Sequence, residues 1–224
     1  VAVPAATTAA RPGDVAIIGI SGRFPMAEDL DAFWAHLAAG RDCISEVPPE
    51  RWDWHAIHGN PLREPHATDV RWGGFIDGVA EFDPLFFGIS PREAELMDPQ
   101  QRLLMQHAWA ALEDAGYSAQ SLAGTRTAVF LGTAASGYTG LLAQAGLPVE
   151  GSTITGMVPS VGPNRISYLL DLHGPSEPIE TACSSSLVAV HRALVAMATG
   201  TCDMAIVGGV NTVVTPDGHI GFRK

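Results

Sequence analysis

Short, unbroken apolar runs alternate with segments of helical periodicity along most of this chain. Val15-Ala16-Ile17-Ile18-Gly19-Ile20, Thr127-Ala128-Val129-Phe130-Leu131-Gly132 and Asp203-Met204-Ala205-Ile206-Val207-Gly208-Gly209-Val210 are nearly continuous in apolar residues. That is the pattern of strands covered on both faces rather than on one. Leu30, Phe33, Trp34 and Leu37 recur at helical spacing, and Gly40 supplies the stop. A longer helix is predicted from Asp98-Pro99 to Asp114, with Asp98 as N-cap and Pro99 in the favoured first position. Its core and rim are Leu103, Leu104, His107, Trp109 and Leu112, and Gly116 ends it. A short helix is expected over 161–170, a strand after the Gly174-Pro175 turn, and a helix over 184–199 that closes at Gly200. Strands and helices in this alternation predict an α/β fold with helical layers on both faces of the sheet.

Two stretches depart from the pattern. Residues 1–13 are mostly Ala, Thr, Pro and Val and read as a linker, with ordered structure expected from 14 to 224. Residues 43–89 are rich in Trp, Pro, His and Gly with weak periodicity, and are expected to form a long, irregular excursion held by aromatic packing. Residues 133–140 are small and polar, like turns that bring backbone close to a ligand.

Composition narrows the class. With 224 residues and 46% hydrophobic content the chain can bury a real core, and a formal charge of −11 argues against nucleic acid or an anionic membrane as partner. Three cysteines, Cys43, Cys183 and Cys202, show neither a CxxC nor a Cys/His ligand spacing, so neither metal nor disulfide staples are expected. A reducing, cytoplasmic setting fits that usage. No run approaches the roughly 20 apolar residues of a membrane span, and no signal peptide opens the chain.

Candidate chemistry concentrates in Ile179-Glu180-Thr181-Ala182-Cys183-Ser184-Ser185-Ser186-Leu187. An apolar approach runs into a cysteine, three serines and a helical pattern, which places the thiol on a sharp strand-to-helix turn. Backbone N–H groups and the positive end of a helix dipole there favour a thiolate, and the same N–H groups can hold an oxyanion. A structural cysteine ahead of a serine-capped helix fits the spacing equally well.

The run Thr181-Ala182-Cys183-Ser184-Ser185-Ser186 resembles the nucleophile motif of β-ketoacyl synthases, specifically the ketosynthase domains of modular type I polyketide synthases. Other segments agree in order: 15–22 with Arg23-Phe24-Pro25, Phe82-Asp83-Pro84, Ile89-Ser90-Pro91-Arg92-Glu93-Ala94, Met97-Asp98-Pro99-Gln100-Gln101-Arg102, and Asn164-Arg165-Ile166-Ser167-Tyr168. Gly208-Gly209-Val210-Asn211 and Asp217-Gly218-His219-Ile220-Gly221-Phe222 complete the set. Gly162-Pro163-Asn164-Arg165 and Glu177-Pro178-Ile179 are similar to the subclass whose acyltransferases act in trans.

The resemblance implies a thiolase-like fold of layered αβαβα architecture, of which residues 14–224 are the N-terminal half with its insertion. It implies decarboxylative Claisen condensation, with Cys183 as the acylated nucleophile and its own N–H in the oxyanion hole. No cofactor is expected to bind directly; a phosphopantetheine arm is delivered by acyl carrier protein. The other partners implied are the remainder of the ketosynthase, neighbouring megasynthase domains and a second copy. The homodimer is expected to pair the strand at 177–181 with its symmetry mate and to send residues near 155–157 toward the partner's acyl pocket.

The family's two histidines and lysine, in motifs of the His-Gly-Thr-Gly-Thr and Asn-x-Gly-His type, do not occur here, and the remainder of the fold is expected in a larger protein. His191, eight residues past Cys183, lies roughly 12 Å along a helix and about 80° around it, and so points away from the thiol. His219 is expected in a loop as a structural residue. His55, His58, His66, His107 and His173 are read as packing or solvated, and Glu93 and Glu95 as a solvated face. A non-elongating ketosynthase that acts as a transacylating gate is the alternative. A cysteine hydrolase lacks a placed histidine partner, and a purely structural fragment completes the readings.

Overall fold

A computed structural model describes residues 13–224. The predicted linker at 1–13 lies, but for Gly13, outside the described residues. In chain order the elements are α1 (Leu30–Ala39), β1 (Ser45–Glu46), a 3-10 turn (Trp54–Ile57), β2 (Trp72–Gly73), α2 (Pro91–Leu96), α3 (Pro99–Asp114) and α4 (Ala119–Leu122). There follow β3 (Thr127–Gly132), α5 (Tyr138–Gln144), α6 (Gly151–Met157), α7 (Val161–Leu169), β4 (Ser176–Ile179), α8 (Ser185–Ala198), β5 (Met204–Gly209) and α9 (Asp217–Gly221).

The centre is a parallel three-stranded sheet in the order β4-β3-β5. Every residue of β3 is buried, and its side chains alternate between two cores. Val129 and Leu131 face α3 and α7, where Met97, Leu104, Met105, Ala108, Leu112 and Ile166 pack. Ala128 and Phe130 face the opposite way, onto Ala189, Ala193 and Ala196 of α8. Those three alanines recur at i, i+4 and i+7, so the face of α8 that meets the sheet is a small-residue stripe and the helix sits close. Its other face carries Leu187, 74% exposed, with Val190 and Leu194 also exposed.

The caps predicted for α3 are present. Asp98 accepts the Gln100 N–H at 2.8 Å, Pro99 occupies the first turn, and Gly116 takes φ +74° just past the end. Asp98 also reaches across to the loop after β3, where its other oxygen accepts the Ser136 hydroxyl at 2.5 Å. Beside it the Gln100 side-chain amide donates to the Ala134 carbonyl at 2.6 Å. The small polar stretch after β3 is thereby tied down onto α3, with Thr133 and Ser136 buried.

One predicted strand is absent. Residues 15–20 form no strand and pair with none among the described residues, and Ile17 is 87% exposed. The central strand β3 has both edges taken, by β4 and by β5, the latter residue for residue from Thr127 with Met204 to Gly132 with Gly209. The run lies instead along the C-terminal half of α3, where the Ile20 N–H donates to Asp114 and the Ser21 hydroxyl meets His107 Nδ1 at 2.9 Å. Burial and the nearby Arg23 push the His107 imidazole below its ordinary range. The β5 run is also less covered than predicted, half-buried along most of its length.

The 43–89 excursion is irregular, as expected. Its regular parts are the β1–β2 pair and the single 3-10 turn. Arg71 lies over the rings of Trp54 and Trp72, at 4.9 and 5.3 Å, and Trp52 meets Phe75 edge-on.

Candidate active site

Strand β4 ends at Ile179, which is buried and whose carbonyl accepts the Thr133 N–H at 3.0 Å. By Ser185 the chain is already in α8. It reverses by placing Ala182 in the left-handed region, φ +54°, a conformation that costs a residue with a Cβ roughly 1 kcal/mol. Cys183 follows at the apex, with its thiol exposed.

The serines hold this turn, each differently. Ser184 donates its hydroxyl to the Thr181 carbonyl at 2.8 Å and reaches Thr181 Oγ1 at 2.9 Å. Ser185 is buried; its hydroxyl accepts the Thr181 N–H at 2.9 Å and donates to the Ala182 carbonyl at 2.7 Å. Ser186 is exposed and its hydroxyl makes no hydrogen bond among the described residues. The spacing alone suggests a serine cap for the helix. In the structure Ser184 occupies the cap position without a capping bond from its side chain, and the hydroxyls of Ser184 and Ser185 are directed back onto the turn.

The first turn of α8 rests on bare backbone. A Cβ at Gly132 would lie 2.9 Å from the Ser186 nitrogen, and one at Gly209 would lie 2.8 Å from Ser186 Cβ. These two glycines end β3 and β5 in register with each other, so together they form a notch that receives the helix. Their part is not legible from the chain, where Gly132 reads as a strand end and Gly209 as part of an apolar strand and of the Gly208-Gly209-Val210-Asn211 segment.

Three backbone donors of this turn are left without a partner. The N–H groups of Cys183, Ser186 and Leu187 have no acceptor among the described residues. They lie at the start of a 14-residue helix, whose dipole is positive there. An exposed nucleophilic atom beside unpaired donors is suited to attack on a carbonyl carbon and to hold the oxyanion that results.

No histidine joins Cys183. His191 is exposed on α8, and His107 is engaged with Ser21 on α3. His219, expected in a loop, lies instead on α9; its Nε2 meets the Trp72 carbonyl at 3.1 Å and its ring packs against Trp52 and Phe75. His173 pairs with Asp171, and His55 stacks on Trp54. Glu93, predicted as a solvated face, pairs with Arg165 at 2.7 Å, and Glu95 pairs with Arg92. Among the described residues no His, Cys, Asp and Glu cluster has metal-binding geometry.

The family model described as "Beta-ketoacyl synthase, N-terminal domain" matches residues 13–224. The chain belongs to the β-ketoacyl synthase family. Polyketide synthase PksN of Bacillus subtilis is 60% identical over 215 residues, which cover 96% of this chain and 4% of that protein. Polyketide synthase PksR of the same organism is 50% identical over 208 residues, covering 93% of this chain and 7% of that protein. Among solved structures, an oxazolomycin ketosynthase domain from Streptomyces albus superposes with a TM-score of 0.84 at 40% identity, over 92% of this chain and 36% of that one. The ketosynthase from module 6 of the Bacillus subtilis bacillaene synthase gives 0.79 at 37% identity, over 92% and 33%. The chain thus spans a few per cent of the polyketide synthases and about a third of the solved ketosynthase chains it matches. The β-ketoacyl synthase fold is thiolase-like, and the helix–sheet–helix stack described above is its α/β layering.

Proposed function

We propose that this chain is the nucleophile-bearing, N-terminal half of a ketosynthase in a modular polyketide synthase, of the subclass served by acyltransferases in trans. Cys183 accepts the acyl chain. Its sulfur attacks the thioester carbonyl presented on the phosphopantetheine arm of an acyl carrier protein, and the Cys183 N–H receives the oxyanion. Collapse breaks the carbon–sulfur bond to the arm, whose thiol leaves with a proton, and an acyl-Cys183 thioester remains. A malonyl group on a second carrier protein then loses carbon dioxide, and its carbanion displaces the acyl chain from Cys183 to form a β-ketoacyl product. The decarboxylation needs the histidines of the C-terminal half, which these residues do not include.

The observation that carries this reading is the exposed Cys183 thiol at a left-handed turn, with its own N–H unpaired at the start of α8. The exposed apolar face of α8 supports a covering second half, since Leu187, Val190 and Leu194 form a contiguous helical stripe. The open outer edge of β4, at the margin of the sheet, supports pairing with a second copy across a homodimer. An intracellular setting, fed by carrier-bound thioesters, belongs to the same proposal. No described helix is long and apolar enough to cross a membrane.

Intact-mass spectrometry of the full ketosynthase after mixing with an acyl-loaded carrier protein tests the reading. The protein gains the acyl mass, and Cys183→Ala abolishes the gain; loading that survives the substitution overturns the assignment. Addition of malonyl carrier then releases a β-ketoacyl product. Stable acyl-Cys183 without product would show instead the transacylating gate.

A further inference from the structure

We infer that Ser185 is the positioning residue of the nucleophile: its hydroxyl locks Ala182 into the left-handed conformation that presents Cys183, and loading depends on that lock. The inference rests on the assignment of Cys183 as the acylated residue.

Something must keep Ala182 where it is. A left-handed alanine has no intrinsic preference for that state, so neighbouring contacts must over-determine it. On the N-terminal flank the Ala182 N–H donates to Glu180 Oε1 at 3.4 Å and the Thr181 carbonyl accepts from Ser184, whereas the side-chain bond to the Ala182 carbonyl comes from Ser185. Ser185 Oγ accepts from the N–H of Thr181, the residue before Ala182, and donates to the carbonyl of Ala182 itself. One hydroxyl thus ties the peptide unit that follows Ala182 to the one that precedes Thr181, and so spans the strained residue. The Ser185 N–H adds a third bond, to the same Ala182 carbonyl at 3.1 Å. Ser185 in turn cannot move: it is buried, and its backbone lies against Gly132, whose hypothetical Cβ would stand 3.0 Å from the Ser185 carbonyl carbon. The sequence of support runs from the strand ends through Ser185 to Ala182 and then to Cys183. Ser184 holds the peptide unit before Ala182 through the Thr181 carbonyl but does not reach the Ala182 carbonyl, and Ser186 contributes no hydroxyl bond to the turn among the described residues.

Removal of the Ser185 hydroxyl leaves the thiol and its helix intact but frees the turn to relax. Small displacements of a reacting atom are costly, so the acyl-loading rate constant is expected to fall roughly 10–100-fold in Ser185→Ala. The thioester concentration that half-saturates loading should be unchanged, because no substrate contact is removed. Glycine occupies the left-handed region without a Cβ penalty, and so Ala182→Gly in the Ser185→Ala background should restore most of the lost rate. A residue that merely stabilised the domain would not be rescued in this way.

The experiment measures acylation of the full ketosynthase by an acyl-N-acetylcysteamine thioester, followed by intact mass, for wild type, Cys183→Ala, Ser185→Ala, Ser186→Ala and the Ala182→Gly/Ser185→Ala pair. Thermal unfolding of each confirms folding. Slow loading by Ser185→Ala, normal loading by Ser186→Ala and recovery in the pair support the lock. Wild-type loading by Ser185→Ala overturns it, as does a loss that the pair fails to recover. If Cys183→Ala still loads, the nucleophile assignment itself is wrong, an outcome distinct from either.

Discussion

Cys183 and Cys202 stand at opposite ends of α8, and the same side chain has opposite properties at the two. Cys183 precedes the helix on a turn with unpaired N–H groups and is exposed. Cys202 follows the helix, is 2% exposed, and packs in the core cluster with Ala128, Phe130, Ala193 and Ala196. Burial, helped by the neighbouring carboxylate of Asp203, pushes its thiol above the ordinary range. Residue type therefore says little about a cysteine; the end of the helix on which it falls, and whether strands or solvent cover it, says most.

The comparison can be broken by experiments of decreasing effect. The largest is modification of the native protein. Iodoacetamide should label Cys183 rapidly, whereas Cys202 reacts only when the core opens, a difference on the order of 10³-fold or more. Peptide mapping after brief labelling reads it, and equal labelling of the two would erase the distinction. Next is a charge at each position. Cys202→Asp places a carboxylate among alanines and phenylalanine and should cost about 3–4 kcal/mol. Cys183→Asp, exposed beside a helix N-terminus, should stay within about 0.5 kcal/mol of wild type while losing all acyl loading. Denaturant titrations measure both.

A smaller effect is the pH dependence of stability. The folded pKa of Cys202 is raised, so its neutral form is favoured in the native state. Its contribution is fully present below the ordinary thiol range and is lost as the pH rises through and beyond it. The denaturant midpoint should decline above about pH 8.5, and Cys202→Ala should remove part of that slope; an unchanged slope would exclude the thiol as its source. The smallest concerns the Arg126–Asp203 pair beside Cys202. The pair has a 2.7 Å contact and both side chains are more than half exposed, so Arg126→Ala should cost at most about 1 kcal/mol, with most of any charge effect gone at high salt.

The parts of the molecule legible in the chain are those where local chemistry and burial agree. The α3 caps follow from Asp98-Pro99, the end of α8 from Gly200, and the buried strand β3 from six consecutive residues with no charge among them. The run at 15–20 shows the limit of that logic. It is as apolar as β3, but apolarity does not choose the partner: β3 has both edges taken by β4 and β5, and the run is held on α3 through Asp114 and His107. The candidate nucleophile was legible through the resemblance of Thr181-Ala182-Cys183-Ser184-Ser185-Ser186 and its flanking segments to the ketosynthase motif, since the spacing alone fits a structural cysteine equally well. The division of labour among Ser184, Ser185 and Ser186 was not, because three identical residues in a row differ only in the direction the backbone points them. Nor was left-handed Ala182, since alanine carries no signal for that conformation.

The notch formed by Gly132 and Gly209 has a consequence for assembly of the sheet itself. Parallel strands have no tight turn between them to set their alignment, so something else must penalise a slip. If β5 moved two residues along β3, keeping its faces, Val207 or Asn211 would arrive where Gly209 lies, and its side chain would enter space already held by Ser186. The helix that carries the thiol can seat only when the strands are correctly aligned. An assembled Cys183 turn thus certifies the alignment of the strands beneath it, and a misaligned sheet is left without one.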